Sequence, residues 1–241
     1  ILAYNLFMKN IIQDKTKLVN SVFSKVNKKY DFMNDIMSLG VHRIWKKKFI
    51  DWMNPQQNNT LVDVASGTGD IAKMFSKKIK DSAAISCVEP NEEMFHVGKS
   101  NLKKFDNIKW YKASAEKLPV KDNTYNFYTI SYGIRNVSDI NLSLKEAFRV
   151  LKPGGRFMCL EFSKVDNEIV DGFYKQYSKL IPYIGRYIVG SSKPYDYLIK
   201  SISEFVSQTE LIDLMKKNGF SKIEYRNLSN GISAIHSGWK I

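Results

Sequence analysis

The sequence predicts an α/β protein built on a mostly parallel sheet, and three observations support this fold class. Short apolar runs rich in β-branched or aromatic residues alternate with segments whose apolar residues recur at helical spacing. A Gly-x-Gly turn at 67–69 follows the first of these runs, as in the first crossover of nucleotide-binding sheets. Two final runs flank Ser229-Asn230-Gly231, which is typical of a hairpin turn. We therefore expect a seven-stranded, mostly parallel sheet with an antiparallel C-terminal hairpin.

The individual elements follow from the same patterns. The predicted strands are, in chain order, 61–65, 84–88, 108–113, 125–132, 156–162, 222–228 and 232–236. Helices are expected over 71–79, after Pro90-Asn91, after Asp139 and over 209–218, and the Lys152-Pro153-Gly154-Gly155 segment is expected to end the third of them.

Two further segments are predicted to be helical additions to a single domain spanning residues 1–241. Residues 15–53 form an expected N-terminal helical cap, and residues 168–202 form an expected helical insertion after the fifth strand. Both mix aromatic, aliphatic and basic side chains. Such a composition suits an ordinary helical cover over the core, and it equally suits a surface that faces lipid or an apolar substrate.

Composition limits the class of protein. The 241 residues suffice for one α/β domain, and no apolar run reaches the ~20 residues that a membrane-spanning helix needs. The histidines His42, His96 and His236 are scattered without metal-ligand spacing, so we expect no metal. Cys87 and Cys159 fall in predicted strands, where each would be a small buried hydrophobic residue.

The formal net charge of +13 requires an explanation. An anionic membrane surface, a nucleic acid, and a lysine-rich surface without a specific partner are the three alternatives. The lysines are spread along the chain in pairs and triples such as 46–48 and 77–78. Because no compact basic motif with interleaved aromatic residues is found, we expect no nucleic-acid partner.

The residues around the Gly-x-Gly turn indicate a nucleoside ligand without phosphates. Glu89 ends the second predicted strand about 20 residues beyond the turn, where a carboxylate accepts ribose hydroxyls. The third glycine of a dinucleotide fingerprint is replaced by Ala72, and no Gly-Lys-Ser/Thr of a P-loop follows. Asp63 within the first strand favours a cationic ligand. S-adenosylmethionine, which carries a ribose, an amino acid and a sulfonium, has these properties.

Several segments together resemble one family, the ubiquinone/menaquinone biosynthesis C-methyltransferases, which are class I S-adenosylmethionine-dependent enzymes. The similar segments are 22–26, 29–35, 37–46, 67–70, 115–119, 132–137, 149–157, 160–163 and 227–236. The glycine turn and the Leu-Lys-Pro-Gly-Gly segment occur in many methyltransferases. The N-terminal segments, Gly-Ile-Arg-Asn at 133–136 and the C-terminal segment are more specific.

The resemblance implies a Rossmann-like class I methyltransferase fold and a set of cofactor-binding residues. By the family's pattern, S-adenosylmethionine would be contacted by Thr68 in the turn and by Glu89, Ser114, Ala115 and Ser131. The expected cofactor site also includes Asp63 in the first strand and the turn glycines Gly67 and Gly69, which the residues themselves indicate. Three positions depart from the commoner residues of the family. Ser66 replaces a glycine, Ser114 replaces an asparagine or aspartate, and Glu89 replaces an aspartate.

The reaction implied is methyl transfer to a ring carbon of a polyprenylated benzoquinol or demethylnaphthoquinol. Such a carbon becomes electron-rich when an ortho hydroxyl is deprotonated, so the protein must stabilise a phenolate and exclude water. We expect Arg135 to stabilise that phenolate, His42 and Asn136 to orient a base or water, and Tyr132 to stack on the ring. The alternative for Arg135 is a structural bridge to Glu161 or Asp139.

The resemblance also implies partners and a location. A prenylated quinol would be the substrate, with peripheral contact to an anionic membrane, on the cytoplasmic inner face in bacteria or the matrix face in mitochondria. A homodimer and a biosynthetic complex are both compatible with the sequence. Two other functions stay open: a class I methyltransferase acting on another small molecule or RNA, and a non-catalytic S-adenosylmethionine-binding assembly protein.

Overall fold

A seven-stranded sheet carries helices on both faces. The computed structural model describes residues 40–165 and 193–241, together with the isolated positions 35, 38, 172, 176 and 177. The helices are α1 (His42–Met53), α2 (Asp70–Lys78), α3 (Glu92–Asn101), α4 (Ile140–Val150), α5 (Lys193–Glu204) and α6 (Gln208–Lys217). The strands are β1 (Leu61–Val64), β2 (Ile85–Val88), β3 (Ile108–Tyr111), β4 (Tyr125–Ser131), β5 (Leu151–Phe162), β6 (Ser221–Leu228) and β7 (Ser233–Trp239).

The strand order is β3-β2-β1-β4-β5-β7-β6. The first five strands are parallel, and β7 runs antiparallel between β5 and β6. The predicted fold class, including the antiparallel C-terminal hairpin, is therefore confirmed. Chain order reverses between the neighbouring strands β1 and β4, and open α/β sheets bind ligands at the carboxyl ends of the strands beside such a reversal.

Apolar clusters cover the two faces of the sheet. One face packs against α1, α2 and α5 through residues such as Phe49, Phe75 and Tyr195, and the other packs against α4 and α6 through residues such as Leu144 and Leu211. This two-sided burial explains why the parallel strands are nearly continuous apolar runs. The predicted burial of both cysteines is confirmed, since Cys87 and Cys159 are free thiols within these clusters.

The start of the fifth strand differs from the sequence prediction. The segment 152–155 was expected to form a stop after α4, but α4 ends at Val150 and β5 already begins at Leu151. The backbone explains the difference, because the Gly154 N–H donates to the Lys240 carbonyl (2.7 Å) and the Lys240 N–H donates to the Gly155 carbonyl (2.9 Å). The extra residues form a bulge, since the register with β4 shifts between Tyr125 and Phe127.

Most of the predicted helical cap (15–53) and insertion (168–202) lies outside the described residues. The described parts are helical, namely α1 at the end of the first segment and α5, which begins within the second. The hairpin turn contains Ser229, Asn230 and Gly231, all at positive φ, as the turn residues predict. Within the described ranges, no helix is both long and apolar enough to cross a bilayer.

Candidate active site

The turn between β1 and α2 is an irregular loop held against β2. Three of its residues have left-handed backbones, Ala65 at φ 52°, Gly67 at 55° and Gly69 at 88°. The Ser66 hydroxyl donates to the Asp63 carbonyl (2.6 Å) and accepts from the Val88 N–H (3.1 Å), which ties the loop to the second strand. Ser66 therefore has a structural function at a position where the resemblance leads us to expect glycine.

The two glycines of the turn serve different purposes. A Cβ on Gly69 would lie 2.5 Å from Leu102 Cδ1, so this glycine allows the loop to approach α3 closely. A Cβ on Gly67 would meet no atom of the described residues within 4 Å. Among those residues, nothing blocks the approach of a ligand to the Gly67 backbone at the carboxyl end of the sheet.

Glu89 lies at the end of β2 with its carboxylate turned toward the turn. One carboxylate oxygen accepts from the Gly67 N–H (2.9 Å) and the other accepts from the Asn91 N–H (2.9 Å). Each oxygen keeps a second lone pair for a ligand hydroxyl. The residue is only 4% exposed, and this burial raises the pKa of Glu89 to about 7.

Asp63 is the second buried carboxylate of the site. Its Oδ1 accepts from the Thr129 hydroxyl of β4 (2.7 Å), whereas its Oδ2 has no hydrogen-bond partner among the described residues. Burial raises the pKa of Asp63 to about 7, and the neighbouring Glu89 adds to the shift. Neither carboxylate has an ion-pair partner within 4.0 Å in the described part of the chain.

The remaining predicted cofactor residues surround the same edge. Thr68 is half-buried in the turn, and its carbonyl accepts from the Asn101 side chain (3.3 Å). Beyond β3, Ser114 is exposed and Ala115 is buried. At the end of β4, Ser131 has a buried hydroxyl without a hydrogen-bond partner in the described ranges. The fold therefore brings every predicted cofactor residue to the carboxyl ends of β1 to β4.

The carboxyl ends of β4 and β5 hold a buried ion pair. Arg135 lies in a short 3₁₀ turn (Ile134–Asn136) after β4, and its Nη1 is 2.5 Å from Oε1 of Glu161 in β5. Nη1 also donates to the Tyr132 carbonyl (2.9 Å), and Nε donates to the Ser201 hydroxyl of α5 (3.3 Å). The sequence left open a bridge from Arg135 to Glu161 or to Asp139, and Glu161 is the partner. Asp139 instead caps α4 through Leu142.

Two other predicted catalytic residues border this ion pair. Asn136 accepts a hydrogen bond from the Tyr197 hydroxyl (2.9 Å), which links the 3₁₀ turn to α5. Tyr132 is buried with a left-handed backbone (φ 55°), and its ring packs against Phe162 at 5.0 Å between centroids. Helix α5 therefore contacts the 3₁₀ turn after β4 through Tyr197. Sequence spacing alone does not predict this contact.

His42 is buried at the start of α1, where its ring contacts two polar side chains. Its Nδ1 lies 3.0 Å from the Ser38 hydroxyl and 3.5 Å from an Asp35 carboxylate oxygen. Burial and the nearby Lys46 lower the pKa of His42 to about 4, so the imidazole is neutral at pH 7. Lys46, one helical turn later, contacts Asp70 beside the glycine turn (2.7 Å). The sequence analysis did not single out Lys46. The signal that could have found it is its spacing of four residues from His42, which places both side chains on one face of α1.

The comparisons with known proteins agree with this geometry. The family model of the ubiE/COQ5 methyltransferase family matches residues 9–240. The chain belongs to this family. A similar protein of Rickettsia bellii (strain OSU 85-389), named ubiquinone/menaquinone biosynthesis C-methyltransferase UbiE, is 51% identical over 98% of this chain and 97% of its own length. The protein of that name from Rickettsia prowazekii is 50% identical over 94% of each chain.

Solved structures of lower identity share the fold of this family member. A SAM-dependent methyltransferase of Thermotoga maritima, described as a possible histamine N-methyltransferase, has a TM-score of 0.64 and 22% identity. The match covers 92% of this chain and 99% of that one. A SAM-dependent methyltransferase of Aquifex aeolicus has a TM-score of 0.61 and 17% identity, over 81% of this chain and 89% of that one.

The residues of this ubiE/COQ5 family site fit S-adenosylmethionine. The buried Oδ2 of Asp63 has no hydrogen-bond partner in the described part of the chain, which suits a ligand that brings positive charge. Gly67 leaves its side open for a ligand to lie against the backbone, and Glu89 keeps lone pairs for ribose hydroxyls.

Proposed function

We propose that this protein transfers the methyl group of S-adenosylmethionine to a ring carbon of a prenylated quinol in ubiquinone or menaquinone biosynthesis. Family membership and the names of its relatives assign the reaction class, an S-adenosylmethionine-dependent C-methylation. One structural observation carries the assignment to a site. Two buried carboxylates without cationic partners in the described ranges share one sheet edge with a buried guanidinium held by Glu161.

The cofactor lies, in this proposal, across the ends of β1 to β4. S-adenosylmethionine supplies the methyl group as an electrophile when it is bound. Glu89 would accept hydrogen bonds from the ribose, and Asp63 would supply negative charge for the cationic end. Gly67, Thr68 and Gly69 form the backbone cradle. Ser114, Ala115 and Ser131 line the far side, where the adenosine would be enclosed.

The acceptor ring lies beside Arg135, whose guanidinium is oriented by Glu161, Ser201 and the Tyr132 carbonyl. A guanidinium in this buried position stabilises negative charge on a quinol oxygen more strongly than it would in water. Arg135 cannot itself accept the proton, because a guanidinium has no acceptor lone pair. Asn136, held by Tyr197, orients the acceptor or a water.

His42 and Tyr132 complete the acceptor side. His42 is neutral at pH 7, but a pKa of about 4 makes it a weak base, so its role in this proposal is to orient the base or water that takes the proton. The Tyr132 ring packs on Phe162 and forms part of an apolar wall for the quinol ring. The cap (15–53) and the insertion (168–202) supply the remaining apolar cover within a single domain.

The prenyl tail requires access from lipid, so we include peripheral membrane association in the proposal. The net charge of +13 favours attraction to anionic lipid. Flotation with anionic liposomes should recover the protein at low salt, and about 0.5 M salt should release it because screening shortens the Debye length. Absence of binding at low salt would contradict this part.

Turnover tests the chemical proposal directly. The protein should methylate demethylated prenyl quinols, and assays with benzoquinol and naphthoquinol rings identify the preferred acceptor. Arg135→Lys keeps a cation near Glu161 but loses the forked donor, so kcat should fall about 100-fold while the Kd of S-adenosylmethionine stays within about threefold. Turnover within a few fold of the wild type would refute the role of Arg135. Methylation of bulk RNA, or binding without any turnover, would favour the alternative functions.

A further inference from the structure

A buried lysine contacts the residue that follows the glycine turn. Lys46 is on the inner face of α1, with a side chain only 10% exposed, and its ammonium is 2.7 Å from Oδ2 of Asp70. Asp70 is the first residue of α2 and follows Gly69 in the chain. The ammonium is therefore held beside the part of the loop that the cofactor must contact.

The partner of this lysine is unusually accessible. The Asp70 side chain is 44% exposed, so its carboxylate can be solvated without Lys46, whereas the Lys46 ammonium is shielded from water. Burying an ammonium is costly unless an anion compensates it. Among the described residues, the groups that face Lys46 are the neutral His42 imidazole, the Asp70 carboxylate and, more distantly, the Asp63 carboxylate.

The chemistry of the expected ligand matches this arrangement. The amino-acid end of S-adenosylmethionine carries both an ammonium and a carboxylate. The carboxylates of Asp63 and Glu89 would attract the cationic groups but repel the ligand carboxylate. That carboxylate needs a cation near the turn, and Arg135 lies with Glu161 at the ends of β4 and β5, on the side that the proposed function assigns to the acceptor.

We propose that Lys46 binds the α-carboxylate of the cofactor and that Asp70 holds the ammonium in position for it. This inference rests on the proposed function, since it assigns one further residue to the same cofactor site. The N-terminus of α2, which begins at Asp70, adds partial positive charge at the same place. The α1 cap would thereby sense whether the ligand has an amino-acid end.

Two ligands that differ only in that end test the inference by calorimetry. S-adenosylhomocysteine carries the amino-acid carboxylate, and 5′-deoxy-5′-methylthioadenosine lacks the amino acid altogether. Lys46→Met should weaken S-adenosylhomocysteine about 10- to 100-fold, the effect of losing a charged hydrogen bond, and should change methylthioadenosine by less than about threefold. Lys47→Met, at an exposed neighbouring position, should leave both affinities unchanged.

Asp70→Asn tests whether Lys46 binds the ligand or only forms a structural ion pair with Asp70. If Lys46 binds the carboxylate, this variant should keep its preference for S-adenosylhomocysteine, because the ammonium remains. Equal losses for Lys46→Met and Asp70→Asn, or an equal loss for both ligands, would overturn the inference. A wild-type protein that binds both ligands equally would overturn it alone, whereas one that binds neither would overturn the proposed function as well.

Discussion

At the carboxyl edge of the sheet, buried carboxyl groups lack an ion-pair partner in the described ranges on the β1–β2 side and have one on the β4–β5 side. On the β1–β2 side, the carboxyl groups of Asp63 and Glu89 are buried without an ion-pair partner in the described part of the chain, and burial raises the pKa of each to about 7. On the β4–β5 side, Glu161 is equally buried but lies 2.5 Å from the Arg135 guanidinium. The β1–β2 side therefore has carboxyl groups without a compensating cation in the described ranges, which we call the uncompensated side. On the β4–β5 side, the compensated side, the guanidinium of Arg135 neutralises the charge of Glu161.

Under the proposed function, this difference assigns the two sides of the sheet edge to different parts of the reaction. A side with uncompensated carboxyl groups gains most from a cationic ligand, since the ligand supplies the missing charge. A side with an internal ion pair presents a positioned guanidinium at little net charge. In the proposed reaction, this guanidinium would stabilise negative charge that develops on a neutral acceptor. It would not compete with Asp63 and Glu89 for the sulfonium.

The largest expected effect on stability comes from removing the ion pair between Arg135 and Glu161 on the compensated side. Glu161→Gln keeps the shape of the side chain but leaves Arg135 buried without an anion, so the free energy of unfolding should fall by about 3 kcal/mol. Urea denaturation at pH 7 measures it. Glu224→Gln is the matched control, because Glu224 is an exposed partner of Arg156 at 3.7 Å and should cost about 0.5 kcal/mol or less. Equal effects of the two variants would contradict the assignment.

A smaller effect should distinguish the two glycines on the uncompensated side. Gly69→Ala combines a left-handed backbone with a Cβ 2.5 Å from Leu102, and should lower the free energy of unfolding by about 2 kcal/mol. Gly67→Ala meets no atom of the described residues within 4 Å and should cost only about 1 kcal/mol, from the backbone alone. Its cofactor affinity should nevertheless fall. Unchanged affinity in Gly67→Ala would show that the ligand does not approach this backbone.

The smallest effect concerns pH. The folded-state pKa of Asp63 is above its unfolded value of 3.8, so the native state holds a proton that the unfolded state has lost. Stability should therefore fall as pH rises from about 4 to about 7, and Glu89 should contribute in the same direction. Asp63→Asn removes part of this slope and should raise the free energy of unfolding by about 1 kcal/mol at pH 8.

Urea midpoints between pH 5 and 8 measure the slope in both proteins. Asp213→Asn, an exposed substitution on α6, serves as the control and should keep the wild-type slope. A wild-type midpoint that rises with pH over this range, with no change in slope for Asp63→Asn, would show that Asp63 is not a proton-holding group in the native state.

Local patterns were sufficient to predict the sheet and its hairpin. Alternation of strands and helices and the turn residues at 229–231 are signals carried by neighbouring residues, and both were confirmed. The start of β5 was predicted wrongly because its pairing depends on Lys240, some ninety residues away in the chain. Contacts of such long range leave no trace in local periodicity.

The same limit applies to the candidate site. The positions of Asp63, Glu89 and the turn at one edge follow from parallel strands ending together. The pairing of Arg135 with Glu161 rather than Asp139 depends on the register of β4 with β5, which sequence alone does not define. The contacts of Lys46 with Asp70, and of Tyr197 with Asn136, depend on how α1 and α5 pack onto the sheet.

The central claim is that the uncompensated carboxyl groups of Asp63 and Glu89 bind the cationic cofactor. Calorimetry of S-adenosylmethionine in two buffers of different ionisation enthalpy tests it, because binding should favour the ionised carboxylates. We predict measurable binding that releases protons near pH 6.5 and tightens between pH 6 and pH 7.5. No heat of binding, or binding without proton release and with a flat pH dependence, would contradict the claim.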